Sequence, residues 1–261
     1  MSEPVDLQTD VPHGARIWNY WLGGKDNYAA DREIGDAVAA AVPFVRQYAL
    51  LTRQFLIRAV TYLAAEAGIR QFLDVGTGLP TAQNTHEVAQ AVAPDAKIVY
   101  VDNDPLVLAH ARALLAGTTS EGITTYVDAD YREPEKVLAG ARETLDFSQP
   151  VAVLFMGVFG YVEADEMHRV VREIVGATCS GSYLAMWDGT STSEVAIAGA
   201  KAQADMGSPY RLSTVDELEE CFKGLEMVEP GLVPVTLWRP APAAIGAPEP
   251  IDAYGGVGRK P

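Results

Sequence analysis

Five short apolar runs dominate the chain: QFLDVG (71–76), KIVYVDN (97–103), ITTYVDA (123–129), PVAVLFMG (150–157) and GSYLAMWDG (181–189). Helix-like stretches of roughly a dozen residues separate most of them, and runs this short and this rich in Val, Leu and Ile read as strands. Strands that alternate with helices and carry little polar surface suit a parallel sheet buried on both faces, built from right-handed crossovers. The expected fold is therefore α/β, a doubly wound Rossmann-like sheet.

The flanking regions are less regular. Residues 1–30 read as irregular, and DREIGDAVAAAVPF as a short helix that Pro43 ends. Phe44, Tyr48, Leu51, Phe55, Ala59 and Tyr62 recur at three and four, which predicts an amphipathic helix running to Gly68. After the fifth run comes TSTSEVAIAGAKAQADMG, then a helix opening at LSTVDELEECF, where Thr214 and Glu217 have the spacing of a capping box. LEMVEPGLVPVTLW and IDAYGGVGRK, joined by RPAPAAIGAPEP, are expected to form an antiparallel hairpin at the sheet edge. With no repeat and no clean linker, one structural domain is expected. Residues 1–68 would form an N-terminal lid with helices, packed on a core of 69–261.

Composition narrows the function. Thirty-five acidic against 20 basic residues give a formal charge of -15, and no Lys/Arg cluster stands out, which argues against a nucleic-acid partner. No window of 18 apolar residues exists and the start, MSEPVDLQTD, is polar and acidic. Neither a membrane partner nor a secretory signal is expected, and cytoplasmic residence with reduced thiols is the expected location. Cys179 and Cys221 are too far apart for a CxxC motif and lack His partners, so both read as small buried hydrophobes and no metal is expected.

The chemistry concentrates at strand ends. The first strand runs into DVGTGLPT, where Gly76 and Gly78 permit a sharp turn and close approach to a ligand. Against the dinucleotide pattern G-x-G-x-x-G, the third glycine is Thr81 and Pro80 removes an amide that a pyrophosphate would use. No Gly-Lys-Ser/Thr follows, so the Walker pattern fails as well. The second strand ends in Asp102, 28 residues after Asp74. Its carboxylate can accept from two ribose hydroxyls or cap the next helix, a role Asp104 before Pro105 can equally fill. The third ends in VDADYR, where Asp130, in preference to Asp128, can accept from an adenine amine or cap the helix after YREP. A glycine turn, a ribose acceptor and an adenine acceptor, without a phosphate cradle, suit a nucleoside bearing positive rather than negative charge. S-adenosylmethionine, a sulfonium, is such a molecule.

The order DVGTG, VDND, DADYR resembles the nucleotide half of class I S-adenosylmethionine-dependent methyltransferases. RIWNYWLGGKDNYAADRE, RQFLDVGTGLPT, NTHEVAQAVAPDAKIVYVDNDPLVLAHARALL and EPGLVPV with WRP are similar to an actinobacterial S-adenosyl methyltransferase family once known only as a domain of unknown function. The resemblance covers nearly the whole chain. It implies seven strands with the last antiparallel, and S-adenosylmethionine as cofactor, leaving S-adenosylhomocysteine as product. It also implies residue roles. Asp74, Gly76, Thr77 and Gly78 form the methionine-side turn, Asp102 with Asn103 takes the ribose, and Asp130 with Tyr131 takes the adenine. Met156 and Gly157 lie under the sulfonium. Pro80 departs from the commoner GxGxG.

A catalytic base is not evident. His13, His86, His110 and His168 each read as surface or packing residues. Arg46 and Arg53, seven apart, share a helix face opposite the apolar stripe, a solvated face unless Arg53 meets the methionine carboxylate. Arg58 falls on the apolar side and should be paired or snorkelling. IWNYWLGGKDNY (17–28) crowds aromatics around Gly23 and Gly24, which suggests a lid over the methionine end and the acceptor, with Tyr20, Asn27 and Tyr28 facing the substrate. Methyl transfer from a sulfonium needs alignment more than a base, so the expected activity is direct methyl displacement onto a small molecule. The alternatives are a non-catalytic S-adenosylmethionine or S-adenosylhomocysteine binder, since MGVFGY lacks the Asn-Pro-Pro-Tyr chemistry of amino-group methylation, and a nicotinamide-dependent oxidoreductase.

Overall fold

The computed structural model describes residues 8–80, 83–107, 109, 121–207, 209–241 and 248–261. Thr81, His110, most of PLVLAHARALL and the centre of RPAPAAIGAPEP lie outside the described residues. All five apolar runs are strands: β1 Gln71–Val75, β2 Lys97–Asp102, β3 Ile123–Asp128, β4 Ala152–Met156 and β5 Tyr183–Gly189. They pair in parallel, and β6 Glu226–Met227, β7 Val233–Pro234 and β8 Ala253–Arg259 complete the sheet in the order β3-β2-β1-β4-β5-β8-β6, with β7 also on β8.

Strand β8 runs antiparallel to both β5 and β6, as expected of the last strand. The strand count differs from the expected seven. The Val228–Gly231 turn, closed by the Gly231 amide donating to the Val228 carbonyl at 2.9 Å, breaks one expected strand into the two-residue pieces β6 and β7.

Period-two alternation sends neighbouring side chains into two cores, one on each face. Leu73, Val75, Val99, Val101, Val153 and Phe155 join the helices α5 Pro134–Ala141, α6 Ala164–Gly176 and α8 Val215–Cys221. Phe72, Ile98, Tyr100, Leu154 and Trp187 join α3 Val45–Ala65 and α4 Thr85–Val92 on the other. Asp74 and Asp102 have the parity of Phe72 and Tyr100, so both carboxylates emerge toward α3 and α4.

The long helix packs one residue out of the expected phase. Its buried face is Val45, Ala49, Thr52, Phe55, Leu56, Ala59, Val60, Leu63 and Ala64, so Phe55 and Ala59 of the expected stripe are buried at one edge of it, while Phe44 is exposed. Arg58 does find partners, donating from Nε to the Trp238 carbonyl at 2.8 Å and from Nη2 to that of Val235 at 2.6 Å. The capping box also forms: Thr214 Oγ1 accepts from the Glu217 amide at 3.2 Å, and the Thr214 amide donates back to Glu217 Oε2 at 2.8 Å.

Residues 1–30 are not all irregular, because α1 spans Gly14–Trp21. It packs with α2 (Ala29–Ala41) around Ile17, Trp21, Val38, Val45 and Ala49. Gly23, at φ +80°, turns the chain out of α1, and Gly24 lies so close to Asn19 that a Cβ would come within 2.3 Å of its side chain. A further helix, α7 Glu194–Asp205, packs on α2: a Cβ on Gly199 would come within 2.7 Å of Val42. Among the described residues no single helix is long and apolar enough to cross a membrane.

Candidate active site

Register brings the strand ends level. Val75 pairs with Val101 and with Phe155, Asp102 with Asp128, and Met156 with Trp187. The order of strands reverses between β1 and β4, with β2 and β3 on one side and β5 on the other, the point at which an open α/β sheet leaves a crevice outside its carboxyl ends. A cavity of about 560 Å³ lies there.

From the end of β1, Asp74, Gly76, Thr77 and Gly78 line this cavity. Gly76 and Gly78 hold φ of +72° and +66°, left-handed values costly for any side chain, and a Cβ on Gly76 would meet Val158 at 2.4 Å. Thr77 Oγ1 donates to the Asp74 carbonyl at 3.0 Å, closing the turn. Asp74 is 3% exposed, and Thr85 Oγ1 donates to its Oδ2 at 2.6 Å. Burial pushes its carboxyl up to about 6, against the pull of the Thr85 hydroxyl and the Arg53 guanidinium.

Arg53 does not lie on a solvated face. It lines the cavity, donating from Nη2 to the Gln83 carbonyl and Asn84 Oδ1, both at 3.0 Å. Burial lowers its pKa while Asp74 raises it.

Asp102 and Asn103 line the cavity from the end of β2. Asp102 Oδ2 accepts from the Gly78 amide at 2.8 Å and Oδ1 from the Asp104 amide at 2.9 Å. An ionised carboxylate offers about four acceptor positions, so two remain for a ligand. Capping falls to Asp104, whose Oδ1 accepts from the Leu106 amide at 2.8 Å. Burial raises the Asp102 pKa, and the two amides oppose it.

At β3, Asp130 and Tyr131 line the cavity, whereas Asp128 is exposed and faces away from it. The Arg132 fork holds Asp130 ionised, lowering its pKa, with Nε 3.0 Å from both oxygens. Tyr131 donates to the Val158 carbonyl at 3.2 Å. At β4, Met156 and Gly157 complete the floor. Gly157 has φ +75°, and a Cβ there would lie 2.4 Å from Trp187 Cη2.

The lid is where residue choice and structure part. Tyr20, Asn27 and Tyr28 do not line the cavity; Ile17, Trp18 and Trp21 of the same stretch do. Two residues along a helix is a turn of about 200°, so with Trp18 facing inward Tyr20 faces out. Its hydroxyl donates to Asp36 at 2.7 Å and Arg46 stacks over its ring at 5.2 Å. Asn27 secures the loop, donating from Nδ2 to Asn19 Oδ1 and the Gly24 carbonyl, each at 3.0 Å. Tyr28 starts α2, its amide donating to Asp31 Oδ2 at 2.8 Å, and packs beside Leu79 and Leu106.

Sequence reasoning also passed over the latch that holds α1 down. Arg16 Nη2 lies 3.2 Å and His13 Nδ1 3.0 Å from the two oxygens of buried Asp104. The partnership with Asp104 raises the His13 pKa. Burial works against Asp104, yet His13 and Arg16 hold it down at about 2. Also unforeseen is Asp188 at the end of β5, fully buried. It accepts the Tyr210 hydroxyl, and the Phe159 and Gly189 amides at 2.8 Å each. An acidic residue ending the WDG run was the available signal. Of the histidines, His86 bonds the Tyr100 hydroxyl through Nδ1 at 2.9 Å and His168 the Glu217 carbonyl at 2.8 Å, both packing roles. Cys221 is buried as expected and its thiol pushed up to about 12 by burial, whereas Cys179 is only half-buried.

A mixed α/β sheet with an antiparallel strand pair at its edge, carrying a glycine turn and carboxylates on successive strand ends, is the fold of class I methyltransferases. The sequence profile of the S-adenosyl methyltransferase family matches residues 1–261, and the chain belongs to that family, whose cofactor is S-adenosylmethionine. It is similar to a DUF574 family protein from Streptomyces avermitilis, at 44% identity and a TM-score of 0.92 over 98% of this chain and 100% of the other. A candidate methyltransferase from Thermobifida fusca matches at 40% identity and 0.89, over 99% and 98%. Human N-acetylserotonin methyltransferase, solved with S-adenosylmethionine, shares only the fold, at 10% identity and 0.50 over 93% of this chain and 62% of the other.

Proposed function

We propose that the chain binds S-adenosylmethionine along the ends of β1 to β4 and transfers its methyl group to a small molecule. The observation that carries this reading is the convergence of Asp74, Gly78, Asp102 and Asp130 on one cavity. In it, the free acceptor positions of Asp102 take the ribose hydroxyls, and Asp130 with Tyr131 receives the adenine. The Gly76 to Gly78 turn admits the methionine chain beside Asp74, and Arg53 meets its carboxylate. Met156 and Gly157 underlie the sulfonium. The cofactor supplies a methyl group on cationic sulfur, and no phosphate cradle competes for the turn.

The protein's part is alignment and exclusion of water. Holding an acceptor atom in line with the methyl carbon can remove about 7 to 11 kcal/mol of barrier. The α1 lid, fixed through Asp104, closes one side. A non-catalytic binder or sensor finds no support in the family or in a cavity that runs on past the cofactor groove. Incubation with methyl-labelled S-adenosylmethionine and a metabolite extract tests transfer. Label in a small-molecule product is expected; label staying wholly in the cofactor, across extracts, would reject catalysis.

A further inference from the structure

Part of the cavity lining is not used by the cofactor assignments, and this part, the acceptor chamber, has a different chemistry. Trp18 lies 5.6 Å from Trp21, 6.0 Å from Trp187 and 6.3 Å from Tyr48, ring centre to ring centre, and Tyr48 lies 6.1 Å from Trp187. These rings form one continuous aromatic wall along the cavity. Trp187 carries it to the floor, since it lies against Gly157. From α7 the lining is Ala196, Gly199, Ala200 and Gln203, the first three small, leaving room for a guest between thin and aromatic walls.

Charge is scarce in this chamber. The described cations lining the cavity belong to the groove: Arg53 at Asn84, Arg132 on Asp130 and His13 on Asp104. Asp252 is a carboxylate of the chamber, and both its oxygens accept hydroxyls, from Thr192 at 2.7 Å and Ser193 at 2.8 Å. An anionic acceptor would lose its hydration with no cation to receive it. A protonated amine has no lone pair to be methylated, and each Asp252 oxygen already accepts a hydroxyl. A flat, neutral ring suits offset or edge contacts with Trp18, Tyr48 and Trp187.

We infer that this chamber receives a planar, uncharged aromatic acceptor, held by Trp18, Tyr48 and Trp187 with its nucleophilic edge toward Gly157. The inference rests on the proposed function for the place of the methyl group.

Four probes of one size separate the possibilities by calorimetry on the full chain, with and without saturating S-adenosylhomocysteine. They are 2-naphthol, its non-planar decahydro form, 2-naphthoate and protonated 2-naphthylmethylamine. The expected result is at least tenfold tighter binding of 2-naphthol than of the other three. Equal or tighter binding of any of the three overturns the inference. Ala200→Trp, on the exposed helix, should fill the chamber and abolish 2-naphthol binding with S-adenosylhomocysteine affinity intact; Trp18→Ala should weaken 2-naphthol about tenfold. Unchanged 2-naphthol binding in both variants places the probe elsewhere and rejects the chamber. Separate titration with S-adenosylhomocysteine keeps the two readings apart. If it binds while 2-naphthol does not, only the acceptor inference fails. If it does not bind, the proposed function fails and the probe ranking in the unliganded chain still decides the chamber.

Discussion

Asp102 and Gly78 are joined directly: the glycine amide donates to Asp102 Oδ2 at 2.8 Å, tying the end of β2 to the turn that follows β1. One carboxylate thus shapes the glycine turn and faces the cavity. Asp102→Ala removes both. Loss of two charge-assisted hydrogen bonds to ribose is worth on the order of 3 kcal/mol, so S-adenosylhomocysteine affinity should fall about a hundredfold in calorimetry. An affinity within threefold of the parent would mean that the ribose lies elsewhere.

Gly157 is constrained twice, by φ +75° and by Trp187 at 2.4 Å from its virtual Cβ. A left-handed non-glycine residue costs about 1 to 2 kcal/mol before any clash. With about 2 to 4 °C per kcal/mol for a chain of this size, Gly157→Ala should lower Tm by about 5 °C or more. An unchanged melting curve would show that Trp187 yields freely.

The latch at His13 should respond to pH. Nδ1 faces both Asp104 Oδ2, at 3.0 Å, and the Ala15 amide, at 3.3 Å. Protonated, it donates to Asp104; neutral, it accepts from Ala15. Asp104 raises the His13 pKa and Asp102 adds to this, while burial and Arg16 oppose. The stabilisation is full below the unfolded pKa near 6.5 and is lost as pH rises through the raised folded value. Fluorescence from Trp18 and Trp21 should titrate with a midpoint above 6.5. His13→Asn, which keeps an N-cap residue, should remove that titration; its persistence would assign it to another group.

Thermal stability should follow the buried carboxyls. Asp74 and Asp188 are both pushed up to about 6, chiefly by burial, so the native chain binds more protons than the unfolded chain from near pH 4 to 6. These two carboxyls lower stability as pH rises across that interval, and loss of the His13 proton continues the fall, against a smaller opposite contribution from His86, whose pKa burial lowers. Scanning calorimetry without ligand should give a higher Tm at pH 5.5 than at pH 8, and Asp74→Asn should flatten the difference. A Tm that climbs from pH 5.5 to 8 contradicts this balance.

Why some of this could be read in the sequence is a matter of periodicity. Strands β1, β2, β4 and β5 lie between two helical layers, so each is apolar along its length and recognisable without neighbours. The strand-end residues inherited their places from those strands, which is why Asp74, Asp102, Asp130 and Gly157 meet in one cavity. Helix phase was harder. In α3 a slip of one residue turned Arg53 outward on paper, and in the eight-residue α1, capped by a histidine, nothing fixed which aromatics face in. The sequence pattern therefore points to Tyr20 where Trp18 stands. The latch joins residues 88 apart, Arg16 and Asp104, a pairing set by tertiary packing that no local pattern encodes.

The central claim is that the strand-end groove holds S-adenosylmethionine. Calorimetric titration of the full chain with S-adenosylmethionine, S-adenosylhomocysteine and NAD tests it most directly. The account predicts saturable one-site binding of both sulfur nucleosides and none of NAD at the same concentrations. Tight binding of NAD with no affinity for either sulfur nucleoside would contradict it.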